Sequence, residues 1–292
     1  MKNRKLACGC AAALAILPVL LAGAVLLWQF VRPQPRPVTK TFFEGIEYTR
    51  AVRDAPREMV IHVLTIDLEA DGIRVLVTPG ESDTELPLSA RTTSEFLEDY
   101  DLQVAVNGSF FEPWTSFSFV SYYPHSGDPV DAIGFAASEG TAYSQAHPDA
   151  PTLYFAQNNN ARFNRPFANL YNAISGSEML VENGKVVASE GGQPEPRTAA
   201  GLSRSENTLI LLVVDGRQPG YSGGATLQEL ADILVEFGAH DAMNLDGGGS
   251  STMVRQGAFG QAVLVNNPIA RNIPGWERPV GNHLGIYAKK QQ

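Results

Sequence analysis

The chain has little cysteine and, over most of its length, little positive charge. Its two cysteines, Cys8 and Cys10, sit before an apolar run and follow no L-x-x-C lipobox pattern. No disulfide framework can therefore organise the rest of the chain, and cysteine usage says nothing about redox compartment. Six of the 22 Lys and Arg side chains (Lys2, Arg4, Lys5, Arg32, Arg36, Lys40) fall in the first forty residues, with none of the 31 Asp and Glu. Residues 41–292 are thus left with 16 positive against 31 negative charges, a net of −15. Such a domain repels nucleic acid, and an anionic polymer would need a local positive site to bind it. No internal repeat, no GK[ST] phosphate loop and no G-x-S-x-G elbow is present. A serine hydrolase triad assembled from Ser109, Ser222 or Ser250 with His283 therefore has no local motif behind it.

What remains is long and apolar enough to bury a core: 292 residues, 44% of them hydrophobic, predicting one large domain over residues 41–292. Ahead of it, Leu6 to Val31 is an uncharged stretch of 26 residues preceded by Lys2, Arg4 and Lys5. Over residues 1–31 this predicts a transmembrane anchor, with a cleaved signal peptide as the rival because Ala22 and Ala24 give an A-x-A-like site. The positive charges on the two sides balance, so orientation rests on the expectation of an exported domain, membrane-anchored or secreted. "RPQPRPVTK", residues 32–40, reads as a proline-rich spacer.

Within the domain, "MVIHVLTIDL" (59–68) and "GIRVLVTP" (72–79) predict a β-hairpin turning at residues 69–71. "TTSEFLEDY" opens with a Thr92/Glu95 capping box and predicts a short helix; "LQVAVNGSFF" (102–111) predicts a strand ending in a polar turn. Residues 112–165 read as long loops with short strands. Farther on, "TLILLVVD" (208–215) is continuously apolar, the mark of a strand buried on both faces, as in a parallel sheet. "TLQELADILVEFG" (226–238) is an amphipathic helix with a Thr226/Glu229 capping box and a Gly238 stop, and "HDAMNLD" (240–246) is a further buried strand. The expected fold is therefore mixed α/β, a partly parallel sheet with covering helices. Its β-α-β crossover would bring Asp215 and Asp246 to one edge, where ligands of such sheets bind.

At that edge stands "NLDGGGSSTMV" (244–254). Glycine loses more freedom on folding than any other residue, so three in succession imply unusual dihedrals or close backbone approach. Gly247, Gly248, Gly249 and Ser250 are read here as a nest of backbone N–H groups for an anion, with "STMVRQG" continuing as a strand.

Together, "PRTAAGL" (196–202), "VVDGRQPGYSGGATLQELA" (213–231), "NLDGGGSSTMV", "ERPVGNHLGIY" (277–287) and "NGSFF" (107–111) resemble the phosphodiester glycosidase family over residues 41–288. The resemblance implies hydrolysis of a sugar joined through its anomeric carbon to a phosphodiester, within a polysaccharide, a teichoic-acid-like polymer or a glycolipid. It also implies a charge clamp, a carboxylate base or nucleophile, and polar groups reading the sugar. Arg197, Arg278 and Arg217 are the candidates for the clamp. Asp246 and Asp215 are the candidate carboxylates, with the choice between them open. Asn107, Asn244 and Asn282 could bond sugar hydroxyls or phosphate oxygens, and Ser175 and Gly176 in "AISGSEML" resemble a further family motif. The aromatic cluster at 110–125 offers a sugar-stacking platform or a cover for the core. No cofactor is required by this chemistry; Ca²⁺ or Mg²⁺ on Asp215, Asp246 and the asparagines is an alternative without a matching ligand spacing. A protein that holds an anionic polysaccharide without cleaving it is the competing function.

Overall fold

The computed structural model describes Gly23 and residues 34–81, 85–116 and 121–291. Apart from Gly23, the segment predicted as anchor or signal lies outside them. Among the described residues no helix is long and apolar enough to cross a membrane.

The largest sheet has eight strands in the order Val38–Phe43, Ile46–Arg53, Met59–Asp67, Thr208–Val214, Arg197–Leu202, Asp241–Asn244, Glu178–Glu182 and Lys185–Val186. Every neighbouring pair in it is antiparallel. This overturns the expectation of an α/β fold with a partly parallel sheet. The crossover from Thr208–Val214 to Asp241–Asn244 does return the chain in the same direction, but Arg197–Leu202 is inserted between the two strands and pairs antiparallel with both. Continuous apolarity arises instead because both faces of the sheet are covered. Leu209, Leu211 and Val213 pack into a core with Val104, Val106, Leu284 and Ile286. The intervening Ile210, Leu212 and Val214 pack into a second core with Leu230, Ala231 and Leu234.

The first core is closed by a five-stranded antiparallel sheet, ordered Ala262–Leu264, Met253–Gln256, Val104–Asn107, His283–Tyr287 and Arg74–Val77. The predicted hairpin over residues 59–79 does not form. Met59–Asp67 pairs with Ile46–Arg53 in the large sheet, and Arg74–Val77 crosses to the smaller one to pair with His283–Tyr287. Val38–Phe43, which begins inside the proline-rich stretch, is the edge strand of the large sheet. Residues 112–165 carry short strands, several of them in a third, five-stranded sheet.

Two α-helices stand where their caps place them. In α1, Thr93–Asp99, the Glu95 N–H donates to Thr92 Oγ1 at 3.1 Å and the Thr92 N–H to Glu95 Oε2 at 2.7 Å. In α2, Leu227–Glu236, Thr226 and Glu229 exchange the same pair of bonds at 3.2 and 2.9 Å. Each box satisfies two N–H groups that a helix start leaves without partners. Gly238, at φ +89°, turns the chain out of α2.

For function, the antiparallel insertion matters most. Register places Arg197 opposite Val214 and Ala199 opposite Asn244. One strand thus starts at the edge where the other two end, and Arg197, Asp215 and Asp246 share that edge.

Candidate active site

A pocket of about 430 Å³ opens at this edge, its floor formed by Asp246 and Gly247 to Gly249. Asp246 follows the Asp241–Asn244 strand directly and is held by its backbone: its N–H donates to Gly108 O at 3.0 Å and its carbonyl accepts from Asn107 Nδ2 at 2.6 Å. Asn107 is itself fixed, accepting at Oδ1 from Thr198 Oγ1 at 2.8 Å and from the Thr252 N–H at 3.1 Å. The asparagine predicted as a ligand contact is therefore a buried tie between three strands.

Three of the four N–H groups read as a nest are engaged within the protein. Gly248 N–H donates to Pro196 O at 2.8 Å, and Ser250 N–H closes onto Gly247 O at 3.2 Å in a single 3₁₀ turn, Gly248–Ser250. Gly247 N–H supports the Asp246 carboxylate. What the glycines supply is room, filled by the Pro196 carbonyl at Gly247 and by an arginine at Gly248 and at Gly249. A β-carbon on Gly247 would meet Pro196 O at 2.9 Å and Arg197 Cδ at 3.8 Å. On Gly248, whose φ is +61°, it would lie 3.1 Å from Arg217 Nη2. On Gly249 it would lie 2.5 Å from Arg278 Nη2. Gly248 and Gly249 thus let the guanidinium groups of Arg217 and Arg278 close on one spot, and Arg197 lines the same pocket.

Each guanidinium is anchored separately. Arg197 donates from Nε to Ala225 O at 3.0 Å and from Nη2 to Gln193 O at 3.2 Å. Burial draws its pKa downward, while the charge of Glu195 and Glu178 opposes that fall. Arg217, at φ +59°, donates from Nε to Glu195 Oε2 at 2.5 Å. Arg278 donates from Nη1 to Ser250 Oγ at 3.1 Å and lies over the Trp114 ring, 5.1 Å from its centroid. The Ser250 hydroxyl in turn donates to Asp246, linking clamp and carboxylate.

Asp246 is the chemically distinctive group. Burial raises its pKa to about 6, and the Ser250 hydroxyl, the Arg278 charge and the Gly247 N–H only partly offset that rise. A carboxylate poised near neutrality beside a cationic cluster suits base or nucleophile chemistry.

Asp215 shares the edge without lining the pocket. Burial opposes its ionisation, but His62 and the amides of Asn266 and Asn267 outweigh burial and hold its pKa below the usual carboxylate range. It sits 3.1 Å from His62 Nε2, accepts from Tyr221 OH at 3.1 Å and Asn266 Nδ2 at 3.0 Å, and takes the Asn267 N–H at 2.9 Å. With its oxygens so engaged, it is a hub of the loops behind the pocket. The other proposed contacts lie off the lining as well. Asn244 donates to Ser177 Oγ at 2.9 Å, and Asn282 accepts the Ser109 N–H at 2.7 Å. Ser175 bonds Thr152 Oγ1 and Phe135 O, each at 2.8 Å, and a β-carbon on Gly176 would meet Asn244 O at 2.3 Å. Among the described residues no group of three or more His, Cys, Asp or Glu is arranged to hold a metal ion.

Seven lining residues are not singled out individually by the sequence: Glu195, Phe110, Phe111, Trp114, Ser116, Arg271 and Asn272. The aromatics belong to the cluster read as platform or core cover, and Trp114 is 47% exposed, on the platform side of that choice. Glu195 was signalled only by lying two residues before Arg197, and Arg271 by nothing in the sequence pattern.

Residues 100–287, well over half of the chain, match the phosphodiester glycosidase family. Over 112 residues the chain is 33% identical to N-acetylglucosamine-1-phosphodiester alpha-N-acetylglucosaminidase of Bos taurus, a match covering 32% of this chain and 20% of that protein. The chain therefore spans about a fifth of the length of that relative. The catalytic domain of the zebrafish enzyme of the same name superposes with a TM-score of 0.59 at 21% identity, covering 90% of this chain and 86% of that one. A hypothetical protein from Synechocystis superposes with a TM-score of 0.56 at 17% identity, covering 87% and 64%. The two structural likenesses establish a shared fold, and the family match establishes kinship: the chain belongs to the phosphodiester glycosidase family.

Proposed function

We propose that this protein hydrolyses the bond between the anomeric carbon of a sugar and a phosphodiester, in a polysaccharide, a teichoic-acid-like polymer or a glycolipid. One observation carries the reading. In a domain of net charge −15, three arginines line one pocket over a glycine triplet, beside a buried carboxylate with a pKa near 6.

The chemistry follows from charge. A phosphodiester has one negative charge, and it lies among Arg197, Arg217 and Arg278. When the anomeric C–O bond breaks, the departing phosphomonoester gains a second charge, so the clamp stabilises the transition state more than the bound substrate. Phosphate already leaves readily, which reduces the need for a general acid. Ionised Asp246 either attacks the anomeric carbon or activates water, and the stereochemistry of the product separates the two. Trp114 offers a face for the sugar or its neighbour. The apolar segment at residues 6–31 supports a placement outside the cytoplasm, anchored to a membrane or released from it.

The test is incubation of the full chain with a panel of sugar-1-phosphodiesters and the matching uncharged glycosides, measuring reducing sugar. Release from the charged compounds alone is expected. Tight binding of those compounds without release would instead support a protein that only holds anionic polysaccharide.

A further inference from the structure

The pocket holds more positive charge than a single phosphodiester can balance. Besides the three arginines of the clamp, Arg271 lines it, while Asp246 and Glu195 are the acidic lining residues. Glu195 is engaged with Arg217. Two carboxylates and one phosphodiester leave one of four guanidinium charges uncompensated, and the structure identifies which. Arg197, Arg217 and Arg278 each donate to an oxygen of the protein. Arg271 has no carboxylate partner and no acceptor among the described residues; its guanidinium lies over Tyr122, 3.7 Å from the ring centroid.

The backbone around Arg271 is built at a cost. Arg271 and Asn272 both adopt positive φ, +54° and +58°, within the 3₁₀ segment Ala270–Asn272. Neither is a glycine, and left-handed geometry at a non-glycine is strained. Two neighbours hold the segment in place. Ala270 N–H donates to Trp276 O at 2.9 Å, and the Ala270 Cα stands 3.2 Å from where a Gly249 β-carbon would be. Arg271 is thereby set beside the clamp but on a separate element, with no acceptor on its hydrogen-bonding edges among the described residues and its face occupied by a buried ring.

We infer that Arg271 forms a second anion subsite, so that the preferred substrate is a polyanionic glycan carrying a further phosphate or carboxylate next to the phosphodiester that is cut. This rests on the proposed function of the pocket and narrows its substrate class. Phosphate and carboxylate both suit a guanidinium fork.

Three non-hydrolysable phosphonate analogues of a sugar-1-phosphodiester test it: a methyl ester with one charge, and two others whose alcohol portion bears a second phosphate or a carboxylate. Calorimetric titration of the full chain is expected to show at least one two-charge analogue binding about tenfold or more tighter than the methyl ester. Arg271→Gln should remove that preference and leave the affinity for the methyl ester within about threefold, with Arg271→Lys between them. Which two-charge analogue gains decides between phosphate and carboxylate. Equal affinity of all three for the wild type overturns the subsite. So does an Arg271→Gln variant that loses the methyl ester as strongly as the others, which would make Arg271 a fourth member of the clamp. Because binding is the readout, a protein that cleaved none of the corresponding phosphodiesters would refute hydrolysis and leave this measurement decisive.

Discussion

A β-carbon on Gly249 would stand 2.5 Å from Nη2 of Arg278. Gly249 is required by space alone: its φ lies outside the left-handed region, so alanine fits its backbone but not its surroundings. The guanidinium must swing away from the pocket to admit the methyl group. Gly249→Ala is therefore expected to lower kcat/KM for a sugar phosphodiester by about a hundredfold, the loss typical of one preorganised donor, with little change in melting temperature. Gly248→Ala differs, because its φ of +61° adds about 1 to 2 kcal/mol of backbone strain and a melting shift of several degrees. Kinetics and thermal melts of the two variants check the contrast.

Asp246→Asn should abolish turnover and raise stability. The pKa of Asp246 is near 6 when folded, against roughly 3.9 for an unperturbed aspartate. Between those values the folded state binds more protons than the unfolded one, so stability falls as pH rises from about 4 to 6. At pH 7 the buried charge costs on the order of 2 to 3 kcal/mol. The amide should recover much of it, giving an inactive protein that melts higher than wild type at pH 7 and no higher at pH 4. A lower melting temperature at pH 7 would contradict this account of Asp246.

The same ionisation sets the pH profile. A base or nucleophile works as the carboxylate, so kcat/KM should climb through a midpoint near pH 6 and level off above it, given the raised pKa of Asp246. A profile falling above pH 6 would assign Asp246 the role of proton donor.

Asp215→Ala predicts the opposite stability effect. It removes the carboxylate shared by Asn266, Asn267, Tyr221 and His62, a loss of about 3 to 5 kcal/mol for a broken buried network. Because the folded pKa is depressed, the stability Asp215 contributes is present at neutral pH and disappears as pH falls through that lowered value. Melting curves of Asp215→Ala and Asp246→Asn at pH 7 should move in opposite directions.

Arg278→Lys keeps a charge but loses the fork that reaches Ser250 Oγ and the pocket together. Its kcat/KM should fall between wild type and Arg278→Ala. Equal values for all three proteins would move Arg278 out of the site.

The parts of this structure that were legible in the sequence are local. Both capping boxes, the glycine triplet, Asp246 and the three clamp arginines are written in short stretches whose chemistry needs no distant partner. Pairing was not legible. The apolar run at 208–215 announces burial on both faces, which a parallel sheet and a covered antiparallel sheet produce alike; only long-range register shows Arg197–Leu202 between the two returning strands. A short link at residues 69–71 suggests a hairpin, but the partners of its flanking strands lie at Ile46–Arg53 and His283–Tyr287. The partner of the Gly248 N–H was hidden for a related reason: it is the carbonyl of Pro196, a residue whose proximity follows from the same sheet. Arg271 owes its place to two left-handed residues in "ARN", which no periodicity reveals.

The central claim is that bond breaking occurs at the sugar carbon and not at phosphorus, and turnover of a sugar-1-phosphodiester in ¹⁸O-labelled water tests it directly. The account predicts one ¹⁸O in the hydroxyl at the anomeric carbon of the released sugar and none in the phosphomonoester. Label in the phosphate would make the protein a phosphodiesterase acting at phosphorus and contradict the roles given to Asp246 and the arginine clamp.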